Sequence, residues 1–434
     1  MTVLLGVVGI VLFVLGILIS VALHELGHMV SAKAFGMKVT QFFVGFGRTI
    51  WSTRRGETEY GIKAIPVGGF VRLVGVFPPA KGEDRTRLRT ASTGPIRSTV
   101  ELARRAEYET VVPEDDGRLY YQKGWWKKLI VRAAGPLVNV VIATLLFGGL
   151  FMLYGADVAQ TTVGTVTDCV VPAPQATAGR KCTDADEVSP AKRAGFQVGD
   201  KILSFNGAGI SSWDQLTALI AVNADGPATI VVQRNGTEKT LTTNTIVDQV
   251  GDGSGKFGSV GFLGVSPQMK LQRQGPGYVV DKLGELTLAT VKAIGDFPQQ
   301  LVGVAKAIAG GDRHEDSPMS VVGAGRVAGE IASDQSLTGG ERIAFLVSLL
   351  ASLNLFLALF NFVPLLPLDG GHMAGAIWEG VRRGLAKLFH RPDPGYVDIA
   401  KLLPVAYIAA GAIVVMGVLL VVADLVNPIR ITTG

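Results

Sequence analysis

Four long stretches of apolar residues, none of which holds a charged side chain, constrain this chain more than any other feature of its sequence. A helix needs ~20 residues to cross the hydrocarbon layer of a bilayer, and each stretch approaches or exceeds that length. The stretches are Val3–Leu23, Ala133–Tyr154, Ile343–Leu368 and Leu402–Ala423. We therefore predict a polytopic α-helical membrane protein with about four transmembrane helices.

The composition agrees with a membrane protein and gives no support to a nucleic-acid partner. Hydrophobic residues make up 48% of the chain and charged residues only 18%, whereas about 25% charge is usual in soluble proteins. Basic residues beside membrane spans explain the net charge of +5, because no DNA- or RNA-binding module is recognisable. The first stretch is interpreted as a span and not as a cleaved signal peptide, since no positive side chain precedes it.

Basic residues are distributed unevenly over the loops, and this predicts which side each loop faces. Residues 34–128 hold 17 Lys and Arg, the longer segment 155–342 holds only 16, and the short connection 373–401 holds five. The positive-inside rule places the first and third connections in the cytoplasm and the second outside. We predict a multi-pass protein of the cell inner (plasma) membrane.

A polar motif directly follows the first apolar stretch and reads Val21-Ala-Leu-His-Glu-Leu-Gly-His28. His24 and His28 are four residues apart, so on a helix both imidazoles project from one face and can share a tetrahedral Zn²⁺. Glu25 on the same turn can take a proton from zinc-activated water and pass it to the leaving amine. Ionisable groups at the edge of a span indicate function, although incidental polar residues at a helix end are the alternative.

A catalytic zinc site needs a third protein ligand, and the HExxHxxGxxH pattern fails here because Ser31 and Ala34 occupy the matching positions. The third apolar stretch continues as Asn361-Phe-Val-Pro-Leu-Leu-Pro-Leu-Asp-Gly-Gly-His372. Its prolines break a helix, and its glycines allow unusual backbone angles. Asp369 follows this break and can offer a carboxylate to zinc; the alternative is a helix C-terminus with a turn-forming Asp-Gly.

HELGH in a first transmembrane helix, paired with an N-x-x-P…L-D-G-G segment in a later one, resembles the site-2 protease family of intramembrane zinc metalloproteases, in its bacterial RseP-like branch. Three further segments resemble features of this family. They are the membrane-dipping β-hairpin at Gly61–Arg72, the start of the second span at Ala134–Asn139, and the stretch before the third span at Asp316–Gly323. The resemblance covers most of the chain apart from residues 78–123.

The resemblance implies an intramembrane zinc endopeptidase that cleaves transmembrane segments of single-pass membrane proteins. The site residues that it implies are the zinc ligands His24, His28 and Asp369, the catalytic acid/base Glu25, and the substrate contact Asn361. It also implies an active site near the cytoplasmic side. Its implied partners are the lipid bilayer and substrates such as trimmed anti-sigma factors or remnant signal peptides.

One departure from the family pattern lies beside the third ligand. The family's second proline usually stands two residues after the first, whereas here Leu366 occupies that position and Pro367 follows it. The spacing from Asn361 to Asp369 is kept, so Asp369 stays the predicted ligand. His372 is the rival, because zinc accepts either imidazole or carboxylate.

The long outer segment resembles a single bacterial PDZ domain. Residues Ser189 to Gly207 resemble the helix–turn–strand signature of such domains, and a second helix is predicted from Trp213 to Ile220. The domain either captures an extended peptide as an added strand or obstructs bulky substrates, and fold alone does not choose between these roles. For Cys169 and Cys182 in this segment, a disulfide and two free thiols are both open.

The predicted organisation combines these segments into an α-helical membrane protein with an inserted extracytoplasmic PDZ-like α+β domain. In order, the parts are a first transmembrane helix with HELGH (1–36), a membrane-associated β-hairpin region (37–76), a charged cytoplasmic insert (77–128), a second transmembrane helix (129–155), the PDZ-like domain (160–268), a membrane-surface helical region (278–340), a third transmembrane segment with LDG (343–372) and a fourth transmembrane helix (402–426). For residues 278–309, a conventional packing helix is the alternative.

Two other functions compete with proteolysis. A zinc-dependent transporter or channel would use the intramembrane His and Asp residues, but it would not need Glu25 and would leave the PDZ-like domain unexplained. A catalytically inactive scaffold has no chemical need to keep both HELGH and LDG. The sequence therefore favours the protease.

Overall fold

The computed structural model describes residues 2–78, 111–170, 182–183, 186–251, 257–311, 313 and 317–429. The chain divides into two compact units. Residues 1–153 and 275–434 form the first, here called the membrane unit, and residues 154–274 form the second, here called the inserted unit. Most of the charged insert predicted at 77–128 lies outside the described residues.

Nine α-helices occur in the described part of the chain. In chain order they are α1 (Thr2–Ala34), α2 (Trp125–Gly149), α3 (Pro190–Ala194), α4 (Trp213–Val222), α5 (Pro276–Ile308), α6 (Val321–Ser333), α7 (Gly339–Asn361), α8 (Asp369–Leu388) and α9 (Leu403–Val426). Helices α1, α2, α7 and α9 belong to segments that are long and apolar enough to cross a membrane. The predicted number of candidate spans is therefore confirmed.

The segment predicted as the third span contains one spanning helix, followed by a break and the start of a second helix. α7 begins at a capping box in which the Thr338 hydroxyl accepts a hydrogen bond from the Glu341 amide, and the Glu341 carboxylate accepts one from the Thr338 amide. It ends at Asn361, because Pro364 and Pro367 in the following turn lack the N–H donors that a helix needs. A separate helix, α8, then begins within the segment predicted as one span at 343–372.

Glycines let α1 approach its neighbours closely. A Cβ on Gly27 would lie 2.7 Å from the carbonyl oxygen of Ala134 in α2, and a Cβ on Gly9 would lie 2.4 Å from the Cβ of Ala332 in α6. Small residues at helix interfaces are typical of membrane bundles, where close backbone packing takes the place of the hydrophobic effect. Because α2 also packs against α7 and α8, the α1–α2 pair lies at the centre of the membrane unit.

Strands β1 (Val39–Arg55) and β2 (Thr58–Leu73) form a long antiparallel hairpin that folds over on itself. Residues 41–44 pair with 59–62 on one side and with 69–72 on the other, while residues 49–55 pair with 58–63. Apolar side chains of its far end are exposed, including Phe46, Ile50 and Ile65. Such a tip suits insertion among lipids, and the dipping of the hairpin into the membrane stays a prediction.

The inserted unit is built on an antiparallel sheet. Its strands are β3 (Ala156–Val166), β4 (Lys201–Phe205), β5 (Ala208–Gly209), β6 (Pro227–Arg234), β7 (Thr237–Asn244), β8 (Ile246–Gly251), β9 (Phe257–Phe262) and β10 (Val265–Gln272). The main sheet has the order β10-β3-β4-β6-β7, with β5 beside β4 and with β8 and β9 as a separate hairpin. The β-rich runs and the second helix predicted for this segment are therefore present.

Alternation along the strands supplies the core of the inserted unit. Ile202 of β4 and Ile230 of β6 are fully buried, and Leu216 of α4 packs into the same cluster, as expected when inward-facing residues recur with period two. Cys169 and Cys182 are joined by a disulfide bond. Of the two possibilities that the sequence left open for these cysteines, the structure has the disulfide.

Candidate metal centre

The two histidines of the HELGH motif lie side by side on α1. Their Nε2 atoms are 3.3 Å apart, since residues four apart share one face of a helix. The ring of His28 donates a hydrogen bond from Nδ1 to the carbonyl oxygen of Val131 at 2.7 Å. In the neutral ring the proton is therefore on Nδ1, and the lone pair of Nε2 is free for a metal.

The predicted third ligand meets these histidines although it is far away in sequence. Asp369 Oδ2 lies 3.1 Å from His28 Nε2 and 3.4 Å from His24 Nε2. Asp369 is the first residue of α8, and the next residue fixes the path of the chain, because a Cβ on Gly370 would lie 2.1 Å from the Val363 carbonyl oxygen. Close backbone packing in this turn therefore presents the carboxylate to α1.

Arg132 of α2 holds the second oxygen of the same carboxylate. Its Nη1 lies 3.4 Å from Asp369 Oδ1, and its guanidinium lies over the ring of Tyr120 at 5.4 Å from the ring centroid. With Oδ1 turned to Arg132, Oδ2 faces the histidines, and outer contacts of this kind orient ligands. In the sequence Arg132 directly precedes the second apolar stretch, and an ionisable residue at the start of an apolar span is a signal of a further role.

Gly135 of α2 leaves the space that the ligand atoms need. A Cβ at this position would lie 2.3 Å from His28 Nε2 and 2.8 Å from His24 Nε2. Real Cβ atoms essentially never come that close to another heavy atom, so a side chain here would displace a histidine. Gly135 belongs to the Ala134–Asn139 segment, and its contribution to the site was not foreseen from the sequence.

The three candidate ligand atoms fit a zinc ion. They lie within 4.8 Å of one another, and in the part of the chain that is described they form the one such group of His, Cys, Asp or Glu. Tetrahedral coordination with zinc–ligand distances of about 2.0–2.2 Å puts neighbouring ligand atoms about 3.3–3.6 Å apart, and the separations here, 3.1, 3.3 and 3.4 Å, lie in or just below that range. Three protein ligands leave a fourth position open, as in catalytic zinc sites.

Glu25 lies next to the first candidate ligand and beside the β-hairpin. It is half-buried, and a Cβ on Gly69 of β2 would lie 3.0 Å from Glu25 Cγ. A strand of the hairpin therefore passes close to the side chain that the sequence assigns to proton transfer. A glycine at this point keeps the strand close without a side chain that would cover Glu25.

The other two sequence candidates lie outside the three-atom group. Asn361 is the last residue of α7, and its amide nitrogen donates a hydrogen bond to the Leu357 carbonyl oxygen at 3.0 Å in the same helix. His372 follows Asp369 by one turn of α8, and its buried Nδ1 has no hydrogen-bond partner among the described residues. The structure thus groups Asp369, and not the rival His372, with the two histidines of α1.

These observations define a class of protein, namely a polytopic membrane protein with a candidate His–His–Asp metal centre built on an apolar helix. Comparison with known families gives the same assignment with more detail. Peptidase family M50 matches residues 12–391, and the chain belongs to this family.

Known metalloproteases resemble the chain over most of its length. It is 35% identical over 442 residues to the zinc metalloprotease Rip1 of Mycobacterium tuberculosis, which covers 98% of this chain and 99% of the relative. Identity to the Rip1 protein of Mycolicibacterium smegmatis is also 35%, with 98% of each chain covered. The metalloprotease MmpA of Caulobacter vibrioides is 29% identical, with 86% of each chain covered. The chain is a membrane zinc metalloprotease with Zn²⁺ as its cofactor, as predicted.

Proposed function

We propose that this metalloprotease cuts transmembrane segments of single-pass membrane proteins inside the bilayer. The observation that carries the proposal is the convergence of His24, His28 and Asp369 from two helices, one of which is an apolar helix long enough to span a membrane. A zinc ligand set within an apolar helix serves a substrate that is itself in the membrane. Membership of peptidase family M50 supports the same conclusion.

Each site residue has one task in the proposed mechanism. The Nε2 atoms of His24 and His28 and the Oδ2 of Asp369 hold Zn²⁺, which when bound supplies the Lewis acidity that makes water nucleophilic near neutral pH. The carboxylate of Glu25 accepts a proton from the attacking water and later donates it to the nitrogen of the leaving amine. Arg132 keeps the carboxylate of Asp369 oriented through Oδ1.

The substrate must unwind before this chemistry can begin, because a transmembrane helix hides its peptide groups in its own hydrogen bonds. Asn361 is proposed to bind the freed substrate backbone, exchanging its present hydrogen bond to Leu357 for one to the substrate. Strand β2 beside Glu25 supports the same idea, since an extended peptide can add to a neighbouring strand. Helix-weakening residues in the substrate should then favour cleavage.

The inserted unit is proposed to be a single PDZ-like domain of the RseP-like branch. Its sheet order, with β10 and β7 at the edges and α4 packed on the sheet core, supports this assignment. An edge strand can accept an extended peptide, and the bulk of the unit can equally exclude large substrates. We favour exclusion, so that substrates are single-pass proteins already trimmed outside, such as anti-sigma factors, with remnant signal peptides as a second class.

The inserted unit is proposed to be extracytoplasmic and the metal centre to lie near the cytoplasmic side of the inner membrane. The support is the excess of Lys and Arg in residues 34–128 and 373–401. Single cysteines at Val222 and at Asp393, both exposed, test it with a membrane-impermeant thiol reagent on intact cells. Labelling at position 393 but not at 222 would contradict this orientation.

Replacing Glu25 with Gln tests the catalytic assignment directly. The three metal-binding side chains stay in place and the proton acceptor is lost, so peptide cleavage should fall by about 10²–10⁴-fold. Zinc content, measured by elemental analysis of the same preparation, should stay at the wild-type level. If purified Glu25→Gln protein cleaves the substrate as fast as wild type, Glu25 is not the catalytic acid/base.

The ligand set is tested by comparing Asp369→Ala with His372→Ala. A three-ligand zinc site loses much of its affinity with any one ligand, so Asp369→Ala should lower the zinc content. His372→Ala is the matched control, because it removes a potential ligand from the next turn of the same helix. Loss of zinc in His372→Ala, together with full zinc in Asp369→Ala, would reassign the third ligand.

A further inference from the structure

Helix α8 exposes apolar side chains and buries a charged one, which is the reverse of what is expected for a helix surrounded by water. Its exposed side is apolar, with Trp378, Leu385 and Leu388 exposed by 56%, 48% and 68%. Ile377 and Val381 continue the same exposed face, since positions three, four, seven and eight apart share one side of a helix. An exposed apolar face of this kind indicates a contact with lipid or with an apolar partner.

The inward side of α8 carries the charge. Glu379 is 2% exposed and accepts hydrogen bonds from the Nζ of Lys128 at 2.8 and 3.0 Å. A Cβ on Gly380 would lie 2.7 Å from the Trp125 ring, so α8 is packed tightly against the start of α2. The charged side of α8 is thus packed against α2, whereas its apolar side has no protein partner among the described residues.

α8 does not qualify as a membrane span. It is absent from the four candidate spanning segments, and its sequence contains Glu379, Arg382, Arg383 and Lys387 within 20 residues. A helix with a strong apolar face and several cations lies in the plane of the interface, with the apolar face turned to the acyl chains. The polar ends of the helix then reach the headgroups.

Cations flank this apolar face and are available to headgroups. Lys387 and Arg391 are exposed, and in the described chain neither forms an ion pair, whereas Arg383 pairs with Glu379 and Asp393. A free Lys or Arg next to a bilayer favours anionic lipid. The two cations and the apolar face therefore both fit an anionic lipid leaflet as the partner.

We propose that α8 is an interfacial helix that binds the anionic lipid leaflet, with its apolar face in the acyl region and Lys387 and Arg391 on lipid phosphates. The helix begins at Asp369, so the residue proposed as the third zinc ligand stands on an element held by lipid. The inference rests on the membrane assignment of the chain, and it goes beyond the proposed cleavage reaction.

The experiment places one fluorophore on the apolar face of α8 in the full-length protein. The native cysteines are bonded to each other, so Leu385→Cys carries the thiol to be labelled with bimane, and Val381→Cys repeats the test at a second position. The protein is reconstituted in phosphatidylcholine with or without phosphatidylglycerol. Lipids that carry a doxyl quencher near the headgroup should quench the probe more than lipids with the doxyl at the chain end, and aqueous iodide should quench it little.

The lipid preference is measured with doxyl-phosphatidylglycerol against doxyl-phosphatidylcholine. Each cation at an anionic surface contributes about 1 kcal/mol, or about fivefold in preference, so the variant K387Q/R391Q should lose about 25-fold of the preference for phosphatidylglycerol. The control K201Q/K270Q removes two exposed cations of the inserted unit and should keep it. Quenching by iodide, equal quenching by phosphatidylglycerol and phosphatidylcholine, or disulfide cross-linking of two copies of the chain through the introduced cysteine would each overturn the proposal. Because no cleavage is measured, the outcome is independent of the proposed function.

Discussion

Gly135 shows how a single hydrogen atom in place of a side chain sets the geometry of the candidate metal centre. The nearest atoms to its absent Cβ are the Nε2 and Cε1 of His28, at 2.3 and 2.6 Å, and the Nε2 of His24, at 2.8 Å. The two Nε2 atoms are the proposed zinc ligands, and Cε1 is bonded to the Nε2 of His28. The residue therefore acts by leaving space and makes no bond of its own.

Gly135→Ala should lower zinc binding without unfolding the protein. The added methyl group displaces a histidine from its position, and overpacking of this kind costs about 1–3 kcal/mol. Zinc content and cleavage should fall together. Gly149→Ala in the same helix is the control, because nothing lies within 4 Å of the Cβ at that position. Equal zinc content in the two variants would show that the close approach is tolerated.

The sequence predicts the candidate site only where the signal is local. His24, Glu25 and His28 share one helical turn, so spacing alone brings them together. Asp369 was predicted from a motif match and from the helix break before it. The parts played by Arg132 and Gly135 depend on which residues of other helices face them, and a single sequence carries no record of such neighbours.

Among the elements, the Arg234–Asp200 pair joins the end of β6 to the turn before β4. Arg234 donates to both carboxylate oxygens of Asp200 at 2.7 Å, and the Gln197 amide donates at 2.9 Å. Burial raises the pKa of Asp200, but these hydrogen bonds outweigh it, and the pKa lies below its usual value. The pair therefore stabilises the folded inserted unit when Asp200 is ionised.

Asp200→Asn should destabilise the inserted unit by about 3 kcal/mol, because it leaves the guanidinium partly buried without its counter-charge. Faster hydrogen exchange in β4 and β6 of the full-length protein measures the effect, with exposed Asp225→Asn as the control. In the wild type this stabilisation is complete above about pH 4, the pKa of an unfolded Asp. It is lost as the pH falls through the lower pKa of the folded state. Unchanged exchange in Asp200→Asn would rule out this role.

The helices and strands themselves were easier to predict than the way in which one element folds over on another. The length of the apolar stretches without charged residues predicted the four spanning segments, and Pro364 and Pro367 indicated where the third would break. The doubling of the β1–β2 hairpin was not predicted, because it depends on register shifts between Val44 and Trp51. Such shifts follow from tertiary packing and leave no periodic pattern in the sequence.

At the scale of the whole molecule, the inserted unit enters and leaves through neighbouring strands. Ala156 at the start of β3 pairs with Gln272 at the end of β10, and paired Cα atoms in antiparallel strands are about 5 Å apart. Residues 157–271 can therefore be replaced by a short Gly-Ser linker without pulling on the membrane unit. This makes a clean deletion feasible.

The deletion separates the two roles proposed for the inserted unit. If the unit excludes bulky substrates, the deleted protein should cut both a full-length single-pass substrate and its pre-trimmed form. If it captures peptide ends, cleavage of the pre-trimmed form should slow instead. The assay compares both substrates with wild type and the deletion protein at equal zinc content. If the deletion protein still fails to cleave the full-length substrate and also no longer cleaves the trimmed one, our preference for exclusion is contradicted.

The paired ends of the inserted unit also bear on how such an enzyme can change over evolutionary time. Any domain whose own termini lie side by side, as Ala156 and Gln272 do, can stand at this position in the chain. Exchange or duplication there alters which proteins reach the enzyme, while the residues around His24 and His28 stay under their own selection. Recognition and bond breaking can then diversify at different rates within one gene.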